Sequence, residues 1–329
     1  MKDRQKIVEI ISDIFNSENS ISGEHDIHET AFRLEKFEKL LDEFEKHDRR
    51  KSESEDRHKQ YSEVRNNEKN ELIKSLVEQM REKISFFENE LDVARDIQQK
   101  MVPRDIPSIG NFTFYGYYQP CRQVGGDYYD YIKTKNGKVF FMIGDVSGKG
   151  LPSSLIVACL QAYLQAEVHN RRAITSLITD LNQYLTEKLI NEKYVTFFIG
   201  LLDPKTNIIK YINAGHNPPI LIRNGKSGSV KELKKGGPIL GMFMDAQYSA
   251  GQTKLAEGDL LVLFTDGIVE AFNYDEEEFS EERLIEILRS QIDRPLDKLT
   301  DHIREKLDEF CEYQPPGDDL TLFLLKRVQ

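Results

Sequence analysis

The chain has 329 residues, of which 39% are hydrophobic and 31% charged, with a net charge of −11 at neutral pH. That is enough apolar material for a large domain with an extension, and enough charge that part of the chain must be heavily solvated. The acidic balance argues against a nucleic-acid binder, which shows a basic stripe, and against unaided docking on an anionic membrane.

Composition changes near residue 101. Before it there are few Gly or Pro residues and many Glu, Lys and Arg; after it come glycines, aromatics and β-branched runs. In the first part, Ile7, Ile10, Ile11 and Ile14 fall at helical spacing, and Phe37, Leu40, Leu41 and Phe44 suggest a second amphipathic helix. Residues 46–60 carry mixed charge without an apolar face and read as a solvated helix or hinge. Next, Ile73, Met80, Phe87, Ala94 and Met101 are spaced by seven, with Val77, Ile84 and Leu91 between them. This 4-3 alternation is a coiled-coil pattern, and so narrow a stripe must be covered by another helix. A parallel homodimer is the expectation, with packing onto the chain's own earlier helices as the alternative. Gln98 stands where the second seam would continue, so the coil is expected to open there. Pro103, Pro107 and Gly110 then end the helix.

Beyond residue 111 the pattern alternates. Strands are expected at 112–119, 138–144, 194–202, 208–213, 219–223, 259–265 and 320–326, and helices at 152–170, 173–190, 280–292 and 296–310. Strands in runs with helices in two pairs read as an α+β fold, an antiparallel sheet covered by helices. The expected organisation is a helical regulatory region at 1–60, a coiled-coil linker helix at 61–103 and a catalytic domain at 104–329.

Acidic residues recur where strands end. Asp127 lies in GGDYYD, Asp145 in GDVSGKG after VFFM, Asp266 at the end of LLVLFTDG, and Asp318 and Asp319 before the last strand. Carboxylate and carbonyl oxygens are the ligands that hard divalent cations prefer, and glycine lets backbone approach an ion. Taken singly, Asp beside Gly is more often a turn former than a ligand. Four such sites in one domain point to an acidic metal site. GDVSGKG lacks the first glycine of a phosphate-binding P-loop, since Ile143 stands there.

GGDYYD, GDVSGKG, AGHNPP at 214–219, FTDGIVEA at 264–271 and GDDLTLF at 317–323, in this order, resemble the bacterial SpoIIE/RsbU-like branch of the PPM (type 2C-like) serine/threonine phosphatases. ARDIQQKMVP at 94–103 resembles the linker in front of that domain. The resemblance covers roughly 94–327 and leaves 1–90 unmatched. It implies a β-sandwich flanked by helices and a site for two divalent cations, Mn²⁺ or Mg²⁺. Asp145 would bridge both ions, Asp127 and the backbone carbonyl of Val146 would hold one, and Asp266 and Asp318 the other. Asp319 is the ambiguous neighbour, a ligand or the group that orients Asp318. Water between two such cations is acidic enough to serve as the nucleophile near neutral pH, without a covalent phospho-enzyme. The implied substrate is a phosphorylated anti-sigma-factor antagonist, with an activator acting on the N-terminal region.

Arg122 and Lys149 are candidates for the substrate phosphate, although solvation explains them equally. His216 is either a proton donor or, more simply, part of a turn before Pro218 and Pro219. Ser147 has no triad spacing around it. Tyr128, Tyr129 and Tyr131 read as packing. The competing functions are a scaffold with incidental catalysis and a hydrolase of small phosphate esters. Three dispersed cysteines form neither a disulfide framework nor a zinc pattern. The opening MKDRQKIVEIISDIF is too interrupted for a secretory signal, and runs such as 194–202 are about half of the roughly 20 residues that a membrane helix needs. The expectation is a cytoplasmic protein.

Overall fold

A computed structural model describes residues 58–103, 105–169, 173–190, 193–224 and 228–328. The helices expected around 7–14 and 37–44, and most of the charged 46–60 stretch, lie outside the described residues. The chain divides into two compact units, Met1–Ala94 and Arg95–Gln329, so Gln98 belongs with the residues that follow it.

Helix α1 runs His58–Gln98 without a glycine or proline. Ile73, Val77 and Leu91 of the heptad stripe are buried, whereas Phe87 is 48% exposed beside a still more open Phe86. Met101 falls past the helix end, where Lys100 and Met101 donate to the carbonyls of Ile97 and Gln98 in a closing turn. Pro103 then prevents continuation. No described helix is long and apolar enough to cross a membrane.

Among its described residues, the second unit after α1 is built from two sheets and four helices of more than one turn. In chain order these are β1 (Phe112–Gln119), β2 (Asp127–Lys133), β3 (Val139–Val146), α2 (Leu151–Glu167), α3 (Ile174–Lys188), β4 (Val195–Asp203), β5 (Ile208–Ala214), β6 (Ile220–Ile222), β7 (Val230–Glu232), β8 (Gly236–Gly237), β9 (Gly251–Lys254), β10 (Leu260–Phe264), the single turn α4 (Asp266–Val269), α5 (Ser280–Ser290), α6 (Leu296–Phe310) and β11 (Leu320–Arg327). One sheet has the order β1-β11-β10-β6-β7 and the other β2-β3-β4-β5-β8, with β9 also on β5. Among the described strands, every ladder is antiparallel except the short β5–β8 contact.

Period-two alternation explains the layering. On β3, Val139, Phe141 and Ile143 face the core between the sheets, together with Leu261 and Leu263 of β10 and Phe323 and Leu325 of β11. Phe141 and Phe323 stack across the sandwich with centroids 6.1 Å apart. The intervening residues Phe140, Met142 and Val146 meet α2 and α3, and Leu260, Val262, Leu322 and Leu324 meet α5 and α6. Four layers result, helices–sheet–sheet–helices, with the central strands β3 and β10 and most of β11 buried on both faces. This is the helix-flanked antiparallel sandwich anticipated from the sequence.

Three strand details differ from expectation. Asp127 opens a strand of its own, β2, rather than trailing β1. Both faces of β2 are covered, so DYYDYIK shows no apolar–polar alternation to read. Asp145 lies inside β3, one residue from its end, because a carboxylate at a sandwich mouth is compatible with the ladder. Strands β7, β8 and β9 are short, and two contain glycine, leaving little pattern at all.

Candidate metal centre

The inner rows of the sandwich turn polar at one end. Continuing each alternation by two residues leads from Ile143 to Asp145, from Tyr129 to Asp127, from Leu263 to Thr265, and from Phe323 through Thr321 to Asp319. The β2–β3 register sets Asp127 directly opposite Asp145. Like charges facing across a ladder destabilise a sheet, so this pair exists at the expense of stability.

Each acid is held differently. Asp127 is buried, and its Oδ2 accepts from Thr265 Oγ1 at 2.7 Å and Thr321 Oγ1 at 2.5 Å. Asp319 is buried and spends both oxygens on backbone. Its Oδ1 accepts from the Cys121 N–H at 2.8 Å, and its Oδ2 accepts from Gly126 at 2.7 Å and Asp127 at 3.3 Å. Asp318 accepts from the Asp319 N–H at 2.8 Å through Oδ1 and meets Lys149 Nζ at 2.8 Å through Oδ2. Asp266 begins α4 directly after β10. A Cβ on Gly267 would lie 2.2 Å from the Asp319 carbonyl, so only glycine lets the TDG turn close onto the DD pair. The Val146 carbonyl lies against Gly126, where an added Cβ would approach it to 2.9 Å.

Electrostatics follow from this crowding. Burial, then Asp145 and Asp319, push the Asp127 carboxyl well above the usual range, against the two threonine hydroxyls. Burial, then Asp266, Asp318 and Asp319, raise Asp145 to about 7, with Lys149 opposing. Asp266 is raised by burial and then by Asp318. Burial disfavours the Lys149 charge, but Asp318 holding the ammonium raises it overall. Among the described residues, Lys149 is the cation in salt-bridge contact with these acids. Such a set is short of positive charge, and its oxygen donors fit hard divalent cations.

The expected residues Asp127, Asp145, Asp266 and Asp318 thus lie at one end of the sandwich, near enough for Asp145 to feel Asp266 and Asp318 and for Asp127 to feel Asp145, with the Val146 carbonyl at the end of the same strand as Asp145. Asp319 is nearby but committed to backbone amides. Lys149 is tied to Asp318 and also donates to the Gly317 carbonyl. Arg122 is half-buried next to Cys121 and forms no ion pair among the described residues. His216 is buried, exchanges hydrogen bonds with the Asn213 side chain, and contacts Thr196 Oγ1 at 2.9 Å. Burial drives its pKa down to about 4. It is neutral at physiological pH, so the turn reading prevails over the proton donor. Ser147 accepts from the Tyr194 N–H.

Sequence reasoning missed Thr265 and Thr321, which period two puts on the same faces as Leu263 and Phe323 and which the structure sets against Asp127. It also passed over the second acid of GGDYYD: Asp130 binds Tyr128 Oη and Gln165 Nε2, fastening α2 to β2. Cys121 was missed as well. Its sulfur and the carboxylate oxygens of Asp318 and Asp319 lie within 4.8 Å of one another. Burial and these two acids push the thiol up to about 12, so in this arrangement it stays protonated, and the oxygens are the better ligands for a hard ion.

Comparison with known proteins agrees with the fold. Protein IcfG of Synechocystis sp. is 24% identical over 286 residues, covering 79% of this chain and 44% of IcfG, so this chain spans less than half of that relative. The phosphoserine phosphatase RsbU of Bacillus subtilis is 24% identical over 242 residues, covering 73% of this chain and 71% of RsbU. The SiaA-PP2C domain of Pseudomonas aeruginosa superimposes with a TM-score of 0.65 at 21% identity, over 74% of this chain and 98% of that domain, and shares the PP2C-like fold. Residues 135–328 match the family described as Stage II sporulation protein E (SpoIIE). With more than half of its length inside that match, the chain belongs to the SpoIIE family.

Proposed function

We propose that this chain is a metal-dependent protein phosphatase that removes phosphate from Ser or Thr of a regulatory partner. The observation that carries the reading is the opposition of Asp127 and Asp145 across one ladder, with Asp266 and Asp318 brought to the same end of the sandwich. Two divalent cations, Mn²⁺ or Mg²⁺, would be held here, one by Asp127 and the Val146 carbonyl, the other by Asp266 and Asp318, with Asp145 serving both. Asp319 orients the loop at 121–127 through three amides rather than binding metal. When bound, such a cation pair supplies a water ionised near neutral pH and a counter-charge for phosphoryl oxygens. The protein's own part is placement: Thr265 and Thr321 fix the Asp127 carboxylate, and Lys149 and Arg122 offer cationic groups to the substrate phosphate.

RsbU is a phosphoserine phosphatase, which supports the choice of phosphoserine; an anti-sigma-factor antagonist as partner follows from the family resemblance of the motifs. The region at 1–60 and the linker at 61–103 are assigned a regulatory role toward the domain at 104–329, with pairing of α1 in a homodimer and an activator at the N-terminal region. A cytoplasmic location suits such a partner.

The test is hydrolysis of p-nitrophenyl phosphate and of a phosphoserine-bearing antagonist protein by the full chain, with EDTA and with Mn²⁺. Metal-dependent turnover of both, lost in Asp266→Asn, is the expected result. Absence of turnover with either substrate leaves the scaffold reading, and turnover of small esters alone leaves the small-ester hydrolase.

A further inference from the structure

Gln98 closes the last turn of α1, at a place where the heptad stripe asks for an apolar side chain. It is only 5% exposed. Its carboxamide pairs with a single residue, as a neighbouring strand would. Nε2 donates to the Gly125 carbonyl at 2.7 Å, and Oε1 accepts from the Gly125 N–H at 3.0 Å. The Tyr118 hydroxyl approaches the same Oε1 at 3.4 Å. Gly125 is buried in the connection between β1 and β2, and Gln98 is the hydrogen-bond partner of both its backbone groups among the described residues. A buried N–H and C=O left without partners are costly, so this pairing is a structural requirement of the loop.

That loop has no slack. A Cβ on Gly125 would fall 2.2 Å from Asp319 Oδ2 and equally close to the Tyr118 hydroxyl. The next amide, Gly126 N–H, is bound to Asp319 Oδ2, and the Gly126 carbonyl accepts from the Val146 N–H at 3.1 Å. The residue after it is Asp127, opposite Asp145. Gln98 touches none of the acids, yet one peptide separates it from the amide that orients Asp319 and two from Asp127.

We infer that Gln98 is a positioning residue for the acidic centre: by clamping the Gly125 peptide it fixes the loop that delivers Asp127 and orients Asp319, so the cation affinity of the site depends on the last turn of α1 remaining wound. The inference rests on the metal-site reading given above. It also accounts for a polar residue at a buried heptad position, which neither a coiled coil nor a core requires. A residue with only a packing role would affect stability and leave cation affinity alone.

Two substitutions separate these roles in the full chain. Gln98→Met keeps length and bulk but drops both bonds. Gln98→Glu keeps the shape and one acceptor, loses the donor to the Gly125 carbonyl, and adds a negative charge that by itself would tighten cation binding. Mn²⁺ binding is followed by titration calorimetry, with thermal unfolding in EDTA recorded alongside. Leu299→Ala, which hollows the core under α6, reports what general destabilisation does. The expected result is weaker Mn²⁺ binding by about tenfold or more in both Gln98 variants, as for other groups that hold a ligand from behind. Leu299→Ala should lower the melting temperature with Mn²⁺ affinity kept. Wild-type affinity in Gln98→Met, or unchanged or tighter binding in Gln98→Glu, overturns the inference. Failure of the wild-type chain to bind Mn²⁺ overturns the metal-site reading itself, and this inference with it.

Discussion

The two ends of the same inner strand rows obey opposite rules. In the middle of the sandwich, Phe141, Ile143, Leu263 and Phe323 interdigitate and are fully buried. Two residues further along, the same alternation presents Asp145, Thr265, Thr321 and Asp127, all turned toward one another. The first region gains stability from every contact. The second holds carboxylates whose protons are retained because charge is unwelcome there. A fold that tolerates this end does so because the middle is well packed, and the cost is recovered only where something positive binds.

Substitution should therefore have different consequences at the two ends. The largest effect is expected at the acids: Asp145→Ala or Asp266→Ala abolishes metal-dependent turnover of p-nitrophenyl phosphate while circular dichroism remains that of the folded protein. Substantial Mn²⁺-dependent activity in either variant would refute the ligand assignment. In the middle, Phe323→Ala removes a ring stacked on Phe141 and should reduce unfolding stability by about 3–5 kcal/mol, measured by urea denaturation. Between the regions, Thr321→Val preserves shape but removes one of the two hydroxyls on Asp127 Oδ2. It should weaken Mn²⁺ binding by about tenfold with little change in folding; equal affinity would show that the hydroxyl does not orient Asp127.

The smallest effect is a matter of sign. The folded state of the metal-free protein holds the Asp145 proton more tightly than the unfolded chain, with a pKa of about 7 against 3.8. Its contribution to stability is complete below pH 3.8 and is lost as pH rises through about 7. Asp145→Asn mimics the protonated form. In EDTA near pH 8 its melting temperature should exceed that of wild type by roughly 3 °C or more, with the gap closing as pH falls from 7 toward 3.8. The His216 titration, depressed to about 4, runs the other way but is common to both proteins and cancels in the difference. A variant less stable than wild type at pH 8 would show that the Asp145 charge is not disfavoured by burial and its acidic neighbours.

Much of this was legible before any coordinates. β3, β10 and β11 read plainly because burial of both faces makes them short, nearly continuous apolar runs, and α6 was bounded to the residue by its amphipathic period. The acids were legible as strand-end residues beside glycine, but their convergence was carried by the family resemblance, since spacing along the chain does not specify pairing across a sandwich. β2 was hidden because it fills its two buried faces with tyrosines and acids rather than an apolar run, Tyr129 in the core between the sheets and Tyr128 and Asp130 under α2. Gln98 read as an interruption of the heptads. Its role as a backbone partner of Gly125 depends on a contact 27 residues away in sequence, which no local pattern encodes.

The most direct test of the acidic end is crystallographic. Crystals soaked in Mn²⁺ and measured at the manganese absorption edge should show two anomalous peaks sharing the Asp145 carboxylate, one also reached by Asp127 and the Val146 carbonyl, the other by Asp266 and Asp318. The absence of any peak at Asp145, or a single peak confined to Cys121, Asp318 and Asp319, would contradict the account.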